Sequence, residues 1–228
     1  MACDITTGLV AYWKFTNDLL DSSGNGLTMT NGGTTSTTDK DAVANQARLF
    51  DGNDYLSRAH SALFATTTYS LSMWVNVIDN STFQYVMFKD RSGDFAGDHS
   101  FKLDGGNLTV VMQTGGGGGS TLTVAGAIST GWRHIVFTSN GVDAQKLYLD
   151  GTLTDTDTGA WSISTNPNIL YFGGWATTSP VVNLTKMDEI RWYNVELDQD
   201  TIDALFAGYD APSCGGATGS AMFFGGGL

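Results

Sequence analysis

Basic side chains and glutamate are scarce in this 228-residue chain. Only 11 residues are Lys or Arg against 23 Asp and Glu, which gives a formal net charge of −12. A nucleic-acid-binding protein needs clustered basic side chains to neutralise phosphates, so this balance excludes nucleic acid as an expected partner. The acidic balance is compatible with a neutral sugar, a calcium ion or a basic protein partner, and it also serves solubility alone.

Long apolar runs and proline are scarce as well. No apolar run approaches the roughly 18 residues that span a bilayer, so we expect no membrane insertion. Charged residues make up 15% of the chain, which also holds 29 glycines and 3 prolines. This composition, with its many Thr and Ser residues, favours short strands and tight turns over long helices.

The N-terminal residues lack the basic and apolar regions of an ordinary secretory signal. Either a leader was removed before this numbering, or the protein leaves its cell by another route, such as release within a virus particle at lysis. We therefore expect it at a virion surface or outside the cell. The two cysteines, Cys3 and Cys214, either form a disulfide that ties the termini together or remain reduced thiols.

Alternating apolar segments with short, regular spacing predict an all-β fold. Residues 8–15, 69–77 and 132–139 are the clearest strands, and the polar stretch 31–41 is predicted to be a loop. One short helix is predicted near the C-terminus. Asp198 is its candidate N-cap, Ile202 and Leu205 follow helical spacing, and Gly208 stands where a helix-ending glycine belongs.

The chain changes character after Pro212. Residues 1–211 are predicted to form one domain, and residues 212–228 a glycine-rich apolar tail. The apolar side chains Met222, Phe223 and Phe224 either fold back on the domain or dock into a neighbouring subunit, such as another virion protein or a second copy of this chain.

Six sequence pieces, in order, resemble one known family. They are residues 8–15 (GLVAYWKF), 21–26 (DSSGNG), 49–52 (LFDG), 69–75 (YSLSMWV), 132–151 with its WRHIV and LYLDG strands, and 187–193 (MDEIRWY) with the helix that follows. Together they resemble laminin-G-like, concanavalin A-like jelly-roll domains over residues 8–208. The resemblance implies a two-sheet antiparallel jelly-roll sandwich with one short C-terminal helix. Because this fold hosts lectins, glycosidases, adhesion modules and virion parts, it does not decide the function.

The resemblance also implies a structural calcium ion (Ca2+). Its ligands here would be Asp21 and Asn25 in the first loop and Asp188 in the last strand, since calcium takes hard oxygen ligands. The alternative is that Asp21 makes an Asx turn and Asp188 pairs with Arg191 or Arg48.

Catalytic patterns are missing from the sequence. Glycosidases generally use two carboxylates that flank the sugar bond, and the glucanase branch of the resembled superfamily carries a Glu-x-Asp-x-Glu strand that is absent here. The two glutamates, Glu189 and Glu196, both lie near the C-terminus, although a pair of aspartates could serve instead. His60, His99 and His134 show no zinc spacing. We therefore expect no enzyme activity.

Sugar binding needs aromatic faces beside polar groups. Trp161, Tyr171 and Trp175 fall in or beside loop-like sequence and are the predicted ligand surface, with core or rim packing as the alternative. The sequence thus predicts a non-catalytic, lectin-type binding or adhesion module that recognises a glycan or surface polysaccharide, as a phage capsid decoration or fibre protein. The alternatives are a secreted carbohydrate-binding module of a cell-surface protein and a glycoside hydrolase.

Overall fold

Two antiparallel sheets stack face to face. The structure is a computed structural model and describes residues 4–89, 99–113, 119–126, 128–159, 168–174 and 183–208. The strands of the first, eight-stranded sheet follow one another in space as β13 (Thr152–Asp157), β12 (Gln145–Leu149), β11 (Gly131–Asn140), β6 (Thr68–Val77), β15 (Asn183–Tyr193), β4 (Ala47–Gly52) and β3 (Thr35–Thr37), and β1 (Leu9–Trp13) also pairs with β15.

The second sheet has seven strands. Their spatial order is β10 (Gly119–Val124), β9 (Asn107–Gln113), β8 (His99–Asp104), β7 (Gln84–Lys89), β14 (Leu170–Gly173), β5 (Tyr55–Arg58) and β2 (Thr30–Gly32). A 3-10 helix covers Ala62–Phe64 and an α-helix, α1, covers Gln199–Phe206. This architecture confirms the predicted antiparallel sandwich with one short C-terminal helix.

The core lies between the two sheets and follows the alternation of side chains along each strand. On β6, Leu71, Met73 and Val75 are fully buried in it. They face residues of the seven-stranded sheet such as Phe101 and Leu103. Trp74, the alternate residue on β6, lies on the opposite face of the eight-stranded sheet.

Helix α1 packs on the outer face of the eight-stranded sheet. Its buried residues Ile202 and Leu205 belong to a second apolar cluster that includes Tyr148 and Tyr193. The Asp198 carboxylate accepts a 2.9 Å hydrogen bond from the Thr201 amide, which confirms the predicted N-cap. Gly208 follows the helix at φ +79°, which confirms the predicted helix-ending glycine.

The prediction of a loop over residues 31–41 was wrong in part. The edge strands β2 and β3 lie within or overlap this stretch, because their backbones pair with β5 and β4. Both strands are short and polar, so they carry no apolar alternation from which a strand could be predicted.

Several predicted features lie outside the described residues. They include the cysteines Cys3 and Cys214 and the tail residues Met222, Phe223 and Phe224. The disulfide and the docking role of the tail therefore stay predictions. Within the described ranges no helix is long and apolar enough to cross a bilayer.

Candidate functional site

A row of aromatic side chains crosses the outer face of the seven-stranded sheet. Tyr55, Tyr171 and Phe88 alternate with neighbours such as Leu56, Phe172 and Met87, which face the core. Tyr85 on β7 and Phe83, just before this strand, extend the row. We call the five rings together the aromatic surface; they are Tyr55, Phe83, Tyr85, Phe88 and Tyr171.

Neighbouring rings contact one another, edge to face in two pairs and at a tilt of 56° between Tyr85 and Phe88. The ring centroids of Tyr55 and Tyr171 lie 5.7 Å apart, those of Tyr85 and Phe88 5.1 Å, and those of Phe83 and Tyr85 5.0 Å. Tyr171 is the cross-strand partner of Phe88. Since cross-strand partners on one face lie side by side, this pairing joins the two groups of rings into one row over β5, β14 and β7.

A β-bulge sets the spacing of the rings on β7. The register with β8 shifts between Tyr85 and Met87, and both Val86 and Met87 are buried in the core. The extra inward residue leaves Tyr85 and Phe88 on the same outer face, although they are three positions apart.

The ring of Tyr55 lies directly over the backbone of Gly32 on the edge strand β2. A Cβ at this glycine would lie 2.3 Å from the Cζ atom of the tyrosine, far inside van der Waals contact. Glycine at this position therefore allows the ring to lie flat against the edge of the sheet.

Access to the rings differs along the row. Phe83 is 42% exposed, Tyr55, Tyr85 and Tyr171 are half-buried, and Phe88 is buried. Burial raises the pKa of the Tyr171 hydroxyl above its usual value, and the neighbouring Tyr55 adds to this effect. The Tyr171 phenol therefore remains protonated at neutral pH and can donate a hydrogen bond.

Polar side chains accompany the rings. Ser57 is the cross-strand partner of Tyr171, and Ser100 is that of Phe88. Lys102 is the partner of Tyr85, with its Nζ 5.7 Å from the ring centroid. Burial lowers the pKa of Lys102. Ser100 is buried, whereas Ser57 and Lys102 are half-buried. The surface thus combines apolar ring faces with the Ser57 hydroxyl and the Lys102 ammonium group at their edges.

Only one of the three predicted ligand residues can be placed. Tyr171 lies in the aromatic surface, whereas Trp161 and Trp175 lie outside the described residues. Sequence reasoning missed Tyr55, Tyr85 and Phe88. The two residues on β7 have no strict alternation that would place them on one face, because the bulge changes the phase of the pattern.

The predicted calcium ligand Asp21 serves the backbone of the first loop. Each of its carboxylate oxygens accepts two hydrogen bonds. Oδ1 takes them from the amides of Tyr12 and Ser23, and Oδ2 from the Leu27 amide and the Ser23 hydroxyl. Burial raises the pKa of this carboxyl, but the hydrogen bonds together hold it below its usual value. This is the Asx-turn alternative.

The other two predicted ligands have different surroundings. Asn25 donates its Nδ2 hydrogen to the Val10 carbonyl oxygen at 2.9 Å. Asp188 is buried, and the pKa of its carboxyl is raised to about 8 by burial and by the charges of Glu189 and Asp39. In this geometry the predicted ligands do not fit a calcium ion, because the Asp21 oxygens already accept four hydrogen bonds from the chain. Calcium binding stays a prediction.

His134 is buried on the outer face of the eight-stranded sheet. Its Nε2 lies 2.9 Å from the Ser72 hydroxyl oxygen, while its Nδ1 has no hydrogen-bond partner. Burial, followed by the charges of Arg191 and Lys40, lowers its pKa to about 3. A serine–histidine pair without a carboxylate to orient the ring is not a catalytic triad. Across the part of the chain that the structure describes, no group of three or more His, Cys, Asp and Glu residues is placed to hold a metal ion.

A family model described as "Concanavalin A-like lectin/glucanases superfamily" matches residues 50–203, which is more than half of the chain. The chain belongs to the concanavalin A-like lectin/glucanase superfamily. This confirms the resemblance recognised in the sequence and the jelly-roll form of the sandwich. No curated protein sequence matches the chain.

Solved structures of this superfamily fold match the chain over most of its length. The receptor binding domain of botulinum neurotoxin D has a TM-score of 0.73 at 16% identity, over 90% of this chain and 53% of that one. The corresponding domain of the C/D mosaic serotype has a TM-score of 0.70 at 16% identity, over 88% and 51%. The serotype D ligand binding domain in complex with N-acetylneuraminic acid has a TM-score of 0.72 at 16% identity, over 90% and 52%. The chain thus spans about half the length of these structures, and at such identity they show the fold alone.

Proposed function

We propose that this superfamily member is a non-catalytic carbohydrate-binding module that takes a glycan on the aromatic surface. The observation that carries the proposal is the row of Tyr55, Tyr171, Tyr85 and Phe83, all at least partly exposed, beside the buried ring of Phe88. Sugar rings present apolar C–H faces that stack on aromatic rings, while their hydroxyls need hydrogen-bond partners at the edges. Two half-buried cross-strand partners of the rings, Ser57 and Lys102, supply those groups.

Structural relatives support a carbohydrate ligand. The serotype D domain was crystallised with N-acetylneuraminic acid, and the binding domain of botulinum neurotoxin DC in complex with SialylT. Their identity of 15–16% to this chain transfers no residue role. The support is therefore that structures about half of which match this sandwich have been seen with a sugar. The residues proposed here come from the geometry of this chain alone.

The cross-strand partners of the rings favour binding over hydrolysis. Apart from the rings themselves they are Gly32, Ser57, Ser100, Lys102 and Gly173, and none of them carries a carboxylate. Hydrolysis of a glycosidic bond generally needs two carboxyl groups that flank it. We therefore assign the aromatic surface a holding role, in which rings and hydroxyls position the glycan and no bond is broken.

A glycan array followed by titration calorimetry tests the proposal. The array carries neutral and sialylated glycans, and the hit is titrated against the wild-type protein and the variants Tyr171→Ala and Tyr85→Ala. Loss of one stacking ring should weaken binding roughly tenfold or more. Leu153→Ala, which trims an exposed apolar side chain on β13 of the other sheet, is the matched control and should bind normally. Equal affinities in all four proteins, or no hit on the array, would remove the proposal.

We also propose that the module is carried on a virion surface, as a capsid decoration or fibre component. This second part is supported by the composition of the tail, residues 212–228, which combines glycine with apolar Met222, Phe223 and Phe224. Deletion of residues 212–228 should abolish attachment to the particle and leave glycan binding by the isolated domain unchanged. Attachment that survives the deletion contradicts the docking role.

A further inference from the structure

A pocket lies on the opposite side of the sandwich from the aromatic surface. It is a cavity of about 360 Å³ between β12 and the segment that leads into α1. Its lining residues, here called the helix pocket, are Lys146, Tyr148, Glu196, Leu197, Asp198 and Gln199. Tyr148 and Leu197 belong to the apolar cluster beneath the helix, so the pocket has a fixed base.

An ion pair forms one side of the helix pocket. The Nζ of Lys146 lies 2.8 Å from the Oε1 of Glu196, and the two side chains are 33% and 27% exposed. The hydrogen bond to Glu196 raises the pKa of Lys146. The pair therefore presents a donor and an acceptor side by side, both of which solvent reaches.

Two further polar groups line the pocket. Burial raises the pKa of the Tyr148 hydroxyl, and both Lys146 and Glu196 act electrostatically on it, which places the phenol beside the ion pair. Gln199 donates its Nε2 hydrogens to the Gly151 carbonyl oxygen at 2.8 Å and to Asp203 at 2.6 Å. These bonds fix the amide in position. A ligand would thus meet groups that are already held in place.

The charges decide which ligand fits. Two carboxylates, Glu196 and Asp198, stand against the single ammonium of Lys146, so an anionic ligand is disfavoured. Every hydroxyl of a sugar both donates and accepts a hydrogen bond. Two neighbouring hydroxyls therefore match the adjacent acceptor and donor of the ion pair.

We propose that the helix pocket binds one neutral sugar unit through a pair of adjacent hydroxyls, held by Glu196 and Lys146 and bordered by Gln199. Its volume is at the lower end of the range of small-ligand sites, about 300–1,000 Å³, which suits one monosaccharide unit rather than a chain. The pocket and the aromatic surface lie on opposite sheets and share no residue. A glycan held on one face thus leaves the other face free for a second one.

The test is titration of the isotope-labelled protein with methyl glycosides of glucose, galactose and mannose, followed by two-dimensional NMR. At least one glycoside should shift the amide signals of Lys146, Glu196 and Gln199. Glu196→Gln and Gln199→Ala should each weaken this response roughly tenfold. The first replaces a charged acceptor with a neutral amide, and the second removes a hydrogen-bonding group from the ligand. Amide spectra of the free variants show whether the fold is retained, and Gln199→Ala leaves the ion pair intact.

The outcomes separate this proposal from the proposed function. Tyr171→Ala should lose glycan binding at the aromatic surface and keep the amide shifts at the helix pocket. Glu196→Gln should lose the shifts at the helix pocket and keep glycan binding at the aromatic surface. No shift at the pocket with any of the three glycosides overturns the inference. So does an equal response in wild type and Glu196→Gln, or stronger binding of N-acetylneuraminic acid than of the neutral glycosides at this site.

Discussion

The hydroxyl of Tyr12, on the first strand, donates a 2.6 Å hydrogen bond to Glu189 on the last one. Arg191 donates to the same hydroxyl at 2.6 Å and pairs with Glu189 at 2.5 Å. Glu189 sits at a β-bulge of β15 with φ +52°, a conformation that residues other than glycine rarely adopt. The hydrogen bonds therefore hold a strained residue where the two ends of the domain meet.

Tyr12→Phe should destabilise the protein. The change removes one hydroxyl that serves both Glu189 and Arg191, and leaves a nearly buried guanidinium with one partner fewer. We expect a loss of about 1–3 kcal/mol in the free energy of unfolding, measured by urea denaturation. Tyr171→Phe, which removes the hydroxyl of a half-buried ring on the other sheet, is the control and should change it by less than about 0.5 kcal/mol. Equal stability of the two variants contradicts the role of the contact.

Much of the fold could be predicted because its strands alternate. Residues 69–77 and 132–139 correspond to β6 and β11. Asp198 caps α1, as predicted from its position just before the residues with helical apolar spacing. The edge strands β2 and β3 were not predictable, because backbone pairing alone specifies them. Apolar alternation in a sequence indicates which side chains of a strand are buried, and these two edge strands have no buried side chain.

The candidate site was less predictable than the fold. Tyr171 was recognised because it follows a loop-like stretch. Tyr85 and Phe88 were not, because the bulge on β7 changes which residues face outwards, and one sequence does not reveal a bulge. The close approach of Tyr55 to Gly32 joins residues of different strands, and it follows only from the pairing of β2 with β5.

Gly32→Ala should weaken glycan binding without unfolding the domain. A Cβ there would overlap the Tyr55 ring, and this half-buried ring can turn away at small cost. We expect a several-fold loss of affinity, similar to that of Tyr55→Ala, and a change in stability within about 1 kcal/mol. Calorimetric titration and thermal melting measure the two effects. Unchanged affinity in Gly32→Ala alongside a loss in Tyr55→Ala would show that the ring does not depend on this glycine.

Asp188 should make the protein less stable as the pH rises. Its pKa in the folded state is raised to about 8, from a usual value of 3.8. Between these two pKa values the Asp188 carboxyl is therefore protonated in the folded state and ionised in the unfolded chain. Its contribution to the free energy of unfolding is fully present below about pH 4 and is lost progressively as the pH rises towards 8. Urea denaturation at pH 5, 7 and 9 measures the slope, and Asp188→Asn should flatten it and raise stability at pH 9. An identical slope in the variant shows that other groups cause it.

Calcium removal should leave the melting temperature unchanged. Both oxygens of Asp21 are engaged by chain donors, so the first loop is held without an ion. Asp21→Ala should cost about 1–3 kcal/mol, because the amides of Tyr12 and Leu27 lose their acceptor. The loss should be equal with calcium and with a chelator. A melting temperature that rises with calcium in the wild type, and not in Asp21→Ala, would instead support the metal site that the family resemblance implies.

Asp155 should close one edge of the sandwich. Its Oδ2 accepts a 2.7 Å hydrogen bond from the backbone amide of Thr123. The two residues lie on β13 and β10, the outermost strands of the two sheets on that side. Asp155→Ala removes the carboxylate and exposes the Thr123 amide to water, so hydrogen exchange at this amide should accelerate. The free energy of unfolding should fall by no more than about 1.5 kcal/mol. Asp104→Ala, at the exposed end of β8, is the matched control and should leave this amide protected. The Asp155 carboxylate is the acceptor of the Thr123 amide. If this amide stays protected from hydrogen exchange in Asp155→Ala, the edge is therefore closed by packing alone.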